Sequence, residues 1–159
     1  LLCGPAVGVG TTMLFHCDLV YAGDNAAFSM PFVNLGLCPE AASSLLVPQM
    51  MGYHRAAEAL LLGEPFMAEA ALEVGLVNRV LAPDDLLPAA RQLALDMLGT
   101  LPHMLVRYKA IINDGWALAG GEAMALEKAR AREFNSQIGA DDVEQRREAV
   151  RARNRAAGG

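Results

Sequence analysis

The chain has 159 residues, a length typical of one domain with a sizeable hydrophobic core. Hydrophobic residues make up 53% of it and charged residues 19%, which excludes a disordered segment or a solvated tail. The formal net charge of −5 argues against a nucleic-acid-binding surface. No uninterrupted apolar run approaches the ~20 residues of a membrane-spanning helix, so no membrane partner is predicted.

Short strands and one helix are predicted in the first part of the chain. Gly4-Pro5 indicates a turn after the first strand, and the residues that follow favour a buried helix. The segment with Gly36 and Pro39 is typical of a loop. The strands are expected at residues 1–3, 19–22 and 27–30, the helix at 8–17 and the loop at 34–42.

The rest of the chain is predicted to be mostly helical. Ser43 or Ser44 is expected to cap the first of these helices and Pro48 to kink it, while Asp141 or Asp142 is expected to cap the last. One strand, at residues 76–81, interrupts the series. The helices are expected at residues 43–51, 54–62, 68–74, 84–99, 102–113, 121–138 and from 141 or 142 to about 153.

The three cysteines and three histidines show no pattern of a metal site. Cys3, Cys17 and Cys38 form no CxxC pair, which favours a reduced protein in the cytoplasm. We expect each cysteine to be a small buried hydrophobic side chain. His16 falls on an apolar helix face and is expected in the core.

Glu40 is a single carboxylate next to a long stretch without charge. Residues 26–39 contain no charged side chain, and charges are rarely left beside such segments unless they are paired or used. One interpretation is a partner for the dipole of the following helix. The other is a catalytic base, because a carboxylate in an apolar pocket near N–H donors can move a proton next to a carbonyl group.

Residues 4–10, GPAVGVG, predict a tight turn that enters a helix. The N-terminus of a helix offers unpaired backbone N–H groups to an anion. The segment has neither the GxGxxG spacing of a dinucleotide site nor the Gly-Lys-Ser/Thr of a P-loop. A tightly packed strand–helix turn and an anion-binding turn therefore both remain open.

Two segments resemble the crotonase superfamily, the enoyl-CoA hydratase/isomerase family. They are GPAVGVGTTMLFHCDLVYAGDNAAFSMPFVNLGLCPEAASSLLVPQMMG and LLLGEPFMAEAALEVGLVNRVLAPDDL. The resemblance extends from residue 1 to about residue 109 and is weaker over the C-terminal helices. Within the family, PFVNLGLCPEAASS is most similar to the Δ3,Δ2-enoyl-CoA isomerases.

The resemblance implies an α/β fold, the crotonase-type spiral of ββα turns followed by a helical segment. Residues 1–82 would be the C-terminal part of the spiral, and residues 83–159 would be helices that pack subunits into a homotrimer or a dimer of trimers. The chain begins inside a predicted strand, so we expect an N-terminal truncation. The absent part would hold the first ββα turns and the first oxyanion-hole donor.

The resemblance also implies which residues act. Glu40 matches the catalytic base of the isomerases, and the backbone N–H of Val9 matches the second oxyanion-hole donor. A coenzyme A thioester would be the substrate, and no metal or other cofactor is implied. Substrate-binding positions are expected at Gly8, Phe32, Leu35, Leu37 and Lys109.

The chain departs from the hydratases of the family at two positions. Hydratases use two glutamates to activate a water, and the matching positions here are Thr12 and Phe32, which cannot act as carboxylate bases. We therefore expect a single-base conversion of 3-enoyl-CoA to trans-2-enoyl-CoA. The alternatives are enoyl-CoA hydration, dienoyl-CoA isomerisation, thioester hydrolysis, or a catalytically silent protein that binds acyl-CoA.

Arginines crowd the C-terminal end of the chain. A solvated helix face explains them most simply, and contact with coenzyme A phosphates is the alternative. They are Arg146, Arg147, Arg151, Arg153 and Arg155.

Overall fold

The computed structural model of the chain describes residues 1–135 and 140–157. Within them five short strands alternate with helices, and the helices dominate after Ser43. The strands are β1 (Pro5–Val7), β2 (Tyr21–Gly23), β3 (Ala27–Ser29), β4 (Phe66–Met67) and β5 (Arg79–Leu81). The helices are α1 (Val9–Thr12), α2 (Phe32–Leu35), α3 (Ser43–Met51), α4 (Tyr53–Leu62), α5 (Ala68–Glu73), α6 (Pro83–Leu98), α7 (Pro102–Asn135) and α8 (Ala140–Ala157).

The strands form two small sheets with mostly parallel pairing. In one sheet β3 lies between β1, to which it is parallel, and β4, to which it is antiparallel. In the other, β2 and β5 pair in parallel. The expected α/β class is confirmed.

The first strand lies later than predicted. Leu2 makes only a single parallel bridge to Ala22, whereas the regular strand begins at Pro5, after the turn at Gly4. A proline lacks the N–H that a ladder needs, but it is tolerated as the first residue of a strand. The prediction of a strand that ends before Gly4 is therefore wrong.

The strands β2 and β5 are shorter than the predicted segments at their N-terminal ends. The Val20 N–H donates to the side-chain oxygen of Asn78 over 2.7 Å, and the Asn78 N–H donates to the Val20 carbonyl, also over 2.7 Å. A side chain thus takes the place of a backbone acceptor at this point. The regular ladder starts one residue later, at the pair of Tyr21 and Arg79.

The helix boundaries differ from the prediction at three places. Residues 32–35, partly expected in a loop, form the single turn α2, which ends at Gly36 in the left-handed conformation with φ of 67°. Ser43 is the first residue of α3 and Ala42 is its N-cap, so the expectation of a serine cap is wrong. Helix α3 continues past Pro48 to Met51.

The two helices predicted at residues 102–113 and 121–138 are one helix, α7. The segment between them contains Gly115, Gly120 and Gly121, and each costs a helix about 1 kcal/mol relative to alanine without breaking it. The expected end at Ile138 lies outside the described residues. So do the side chains of Asp141 and Asp142, which were expected to cap the last helix.

The core lies between the sheets and the helices that follow them. Among its largest buried side chains are those of Phe28, Met30, Leu46 and Val47. Helix α6 packs on β2 through Leu86, which is buried. The boundary at residue 82 and the trimer both stay predictions.

The cysteines do not lie where they were expected. Cys3 and Cys17 are exposed and Cys38 is half-buried, so the prediction of three buried thiols is wrong. All three are free thiols.

None of the helices in the described part of the chain combines the length and apolar character needed to cross a membrane. The cytoplasmic location stays a prediction.

Candidate active site

Glu40 lies in the loop between α2 and α3, and its carboxylate faces the end of α1. The Thr12 hydroxyl donates a hydrogen bond to Oε1 of Glu40. Thr12 has no solvent exposure, whereas Glu40 is half-buried. The sequence indicated only that Thr12 is not a carboxylate, and nothing in the sequence predicted this contact across 28 positions.

The backbone that follows Glu40 is held in an uncommon conformation. Ala41 and Ala42 have φ values of 56° and 57°, in the left-handed region that costs a residue with a Cβ roughly 1–2 kcal/mol. The Ser43 N–H donates to the Glu40 carbonyl over 3.0 Å and closes this turn. Two successive strained residues beside a half-buried carboxylate are typical of a functional site.

His16 contacts the main chain of the same turn. Its Nε2 lies 2.8 Å from the Ala41 carbonyl oxygen, and because a carbonyl only accepts, Nε2 carries the proton. The side chain is exposed, so the expectation of a core histidine is wrong. His16 follows Thr12 by four residues, and α1 continues through the 3₁₀ turn Met13–His16. The two side chains therefore contact consecutive residues of the Glu40 turn.

A cavity of about 360 Å³ opens beside Glu40. Phe32 and residues 37–41 form one wall, so two of the expected substrate-binding residues, Phe32 and Leu37, do lie with Glu40. The opposite wall is one face of α7, formed by Met124, Lys128 and Ala131. Glu40 is the one carboxylate among the described residues that line this cavity.

The turn at Gly8 places Val9 at the first position of α1. Gly8 has φ of 57° and ψ of −118°, a conformation that a side chain would strain, and its N–H donates to the Ser29 carbonyl over 2.9 Å. Its own carbonyl accepts the N–H groups of Thr11 and Thr12 at 2.9 and 3.0 Å. The N–H of Val9 lies in the first turn, where a helix supplies no backbone acceptor.

The donor at Val9 and the carboxylate of Glu40 are linked through α1. Val9 begins this helix and Thr12, which contacts Glu40, ends it. Three residues of helix rise by about 4.5 Å, so the N–H donor lies roughly one turn from the hydroxyl that holds the carboxylate. Gly8 and Val9 thus lie at one end of α1 and the residue that contacts Glu40 lies at the other, and the oxyanion-hole role of Val9 stays a prediction.

Four of the expected site residues are not among the described residues that line this cavity: Gly8, Val9, Leu35 and Lys109. Leu35 ends the single turn α2. Lys109, on α7, forms an ion pair with Asp18, and both side chains are partly exposed. The substrate-binding roles of Gly8, Leu35 and Lys109 stay predictions.

A second, smaller cavity of about 240 Å³ lies between α4, β4 and α5. Met51, Phe66 and Val74 supply apolar wall, and Arg55 and Glu64 lie at the same cavity. Arg55 also forms an ion pair with Glu73, at 3.2 Å. Glu40 does not line it, so this cavity is separate from the one that holds the candidate base.

The C-terminal arginines whose side chains the structure describes lie on a solvated helix face, as expected. Arg147 and Arg151 pair with Glu144 at 3.2 and 3.9 Å, and Arg146 and Arg155 are exposed. The side chain of Arg153 lies outside the described residues. No group of three or more potential metal ligands occurs in the part of the chain that the structure describes.

Comparison with known proteins extends this description. A family model described as enoyl-CoA hydratase/isomerase matches residues 2–152. The "Probable enoyl-CoA hydratase EchA17" of Mycobacterium tuberculosis is 36% identical over 127 residues, which is 80% of this chain and 49% of that protein. The "Enoyl-CoA delta isomerase 2" of Rattus norvegicus is 51% identical over 77 residues, 48% of this chain and 20% of that protein.

The similarity holds in three dimensions. A crystal structure of an enoyl-CoA hydratase/isomerase from Pseudoalteromonas atlantica superposes with a TM-score of 0.83 at 35% identity. The superposition covers 94% of this chain and 59% of the other. The chain spans about half the length of the mycobacterial relative it matches.

Proposed function

The chain belongs to the enoyl-CoA hydratase/isomerase family and has its crotonase-type fold, and from this premise we propose that its protein is an isomerase of 3-enoyl-CoA thioesters. Members of the family act on acyl-CoA substrates. The product would be the trans-2-enoyl-CoA isomer. The observation that carries the proposal is the position of Glu40, the one carboxylate on the described wall of its cavity, in contact with Thr12 at the end of α1.

The proposed reaction uses Glu40 as the only base. Its carboxylate removes a proton from C2 of the substrate, and the electron pair moves onto the thioester oxygen to give a dienolate. The N–H of Val9 donates to that oxygen, and removal of one such donor in other enzymes costs about 2.7–4 kcal/mol. Glu40 then returns the proton at C4, which leaves the double bond between C2 and C3. These steps need no metal or redox cofactor.

The surroundings of Glu40 support isomerisation over hydration. Hydration of an enoyl thioester needs groups that hold and activate a water, and the positions that match the hydratase glutamates carry Thr12 and Phe32. The Thr12 hydroxyl is already engaged with Glu40, and Phe32 is a buried apolar wall of the cavity. The relatives carry names of both activities, with the higher identity over the shorter stretch belonging to the isomerase.

The test of this proposal is a comparison of two substrates in the full-length protein. We expect 3-enoyl-CoA to be converted to trans-2-enoyl-CoA, and hydration of trans-2-enoyl-CoA to 3-hydroxyacyl-CoA to be slower by at least about 100-fold. Product analysis by chromatography separates the two reactions. Hydration at a comparable rate would assign the protein to the hydratases. Binding of both thioesters without turnover of either would indicate a silent acyl-CoA-binding protein.

Cys38 allows occupancy of the cavity to be measured without turnover. Its half-buried thiol lines the cavity that holds Glu40, whereas Cys17 is exposed elsewhere. A saturated acyl-CoA at ten times its Kd should slow alkylation of Cys38 about tenfold, because only about one molecule in eleven is then free. Peptide mass spectrometry reports each cysteine separately. Alkylation of Cys17 should not change, and equal rates at Cys38 with and without ligand would place the acyl-CoA elsewhere.

A further inference from the structure

Two adjacent buried threonines in α1 have different tasks. The Thr11 hydroxyl lies 2.8 Å from the Ala6 carbonyl oxygen and 3.1 Å from that of Ser29, so it joins the helix to β1 and β3. The Thr12 hydroxyl has Glu40 Oε1 as its partner. Both residues have no solvent exposure. The Thr11 hydroxyl therefore stabilises the packing of α1 on the sheet, whereas the Thr12 hydroxyl binds the Glu40 carboxylate.

The direction of the Thr12 hydrogen bond is fixed by chemistry. An ionised carboxylate only accepts, so the threonine hydroxyl is the donor and its proton points at Oε1. A hydrogen bond to a charged group is shorter and stronger than one between neutral groups. The bond therefore fixes the rotation of the carboxylate and occupies one of its two oxygens.

The main chain of Glu40 is held by the same helical segment. His16 donates to the Ala41 carbonyl, and the left-handed pair Ala41–Ala42 leads directly into α3. Thr12 thus holds the side-chain end of Glu40, while His16 holds the turn that carries it. A glutamate restrained at both ends has little freedom to rotate its carboxylate.

We propose that Thr12 is a positioning residue, whose hydroxyl holds Oε1 of Glu40 so that Oε2 alone exchanges the proton with the substrate. The inference rests on the proposed isomerase function and adds a residue to it. The C2–H bond breaks as the Oε2–H bond forms, and later Oε2–H breaks as C4–H forms. The Thr12 proton stays on Thr12 throughout. One oxygen that takes and returns the proton keeps the transfer on one face of the dienolate.

The experiment compares three threonine variants of the full-length protein. Thr12→Val keeps the size of the side chain and removes the donor, so we expect kcat to fall by about 10- to 100-fold, as for other misplaced catalytic groups, with KM within about threefold. Thr12→Ser restores the donor and should recover kcat to within about threefold of wild type. Thr11→Val is the matched control. It should lower the unfolding temperature yet leave kcat of the folded protein within about threefold.

Each outcome separates this inference from the proposed function. If Glu40→Gln abolishes isomerisation but Thr12→Val does not slow it, the positioning role is wrong and the base remains. An equal loss of kcat in Thr11→Val and Thr12→Val would show a structural effect of α1 and would also overturn the inference. A wild-type protein that does not isomerise 3-enoyl-CoA would overturn the proposed function, and the role of Thr12 with it.

Discussion

Glu40→Gln should lower kcat for 3-enoyl-CoA by at least about 100-fold, the lower end of what a general base contributes. Glutamine keeps the size of the side chain and an oxygen that can accept from Thr12, so the turn at Ala41 and Ala42 should persist. It cannot take a proton from C2. We therefore expect KM within about threefold of wild type while kcat falls.

Glu64→Gln provides the control for Glu40→Gln. It makes the same chemical change at the second cavity, away from Glu40, and should leave kcat within about threefold of wild type. Steady-state kinetics of the three proteins, with circular dichroism spectra to confirm equal folding, gives the answer. A Glu40→Gln protein that keeps more than a tenth of the wild-type kcat would remove Glu40 from the mechanism.

Phe28→Ala should have the largest effect on stability. Phe28 lies in the central strand β3, has no solvent exposure and stacks on Phe66 with ring centroids 5.5 Å apart. Truncation of a buried phenylalanine costs about 3–5 kcal/mol, a large share of the roughly 5–15 kcal/mol that holds a domain folded. The free energy of unfolding, measured by urea titration, should fall by that amount.

Two further variants serve as controls for Phe28→Ala. Phe28→Leu keeps most of the apolar volume and should cost distinctly less than Phe28→Ala. Leu61→Ala removes an apolar side chain that is 70% exposed, and it should change the free energy of unfolding by no more than about 0.5 kcal/mol. Equal losses in Phe28→Ala and Leu61→Ala would show that β3 is not the centre of the core.

The local features of the site were predictable from the sequence, and its long-range contacts were not. The glycines around Val9 and the lone carboxylate at Glu40 gave clear signals because each depends on a short segment. The bond from Thr12 to Glu40 and the bond from His16 to Ala41 join segments 28 and 25 positions apart, and no local pattern encodes them. The left-handed alanines gave no signal either, because alanine is not a residue that favours this conformation.

In the fold, too, some features were predictable from local sequence patterns and others were not. The predicted α/β class and most of the helices are confirmed, since apolar periodicity and glycine stops are properties of the sequence itself. The first strand was misplaced because Gly4-Pro5 indicates a turn equally well before or after a strand. The break predicted within α7 was wrong because three glycines weaken a helix without ending it.

Because α7 is one continuous helix, it should tolerate insertions and deletions poorly. The helix is tied to Asp18 through Lys109 and reaches the cavity through Met124 and Lys128. Each residue turns a helix by about 100°, so deletion of one residue between these points would rotate the cavity-facing side chains by about 100°, away from the cavity. Substitutions along this stretch leave the direction of the cavity-facing side chains unchanged, whereas insertions and deletions change it. The number of residues in α7 between Lys109 and Met124 therefore fixes both the distance and the rotation between the contact with Asp18 and the cavity.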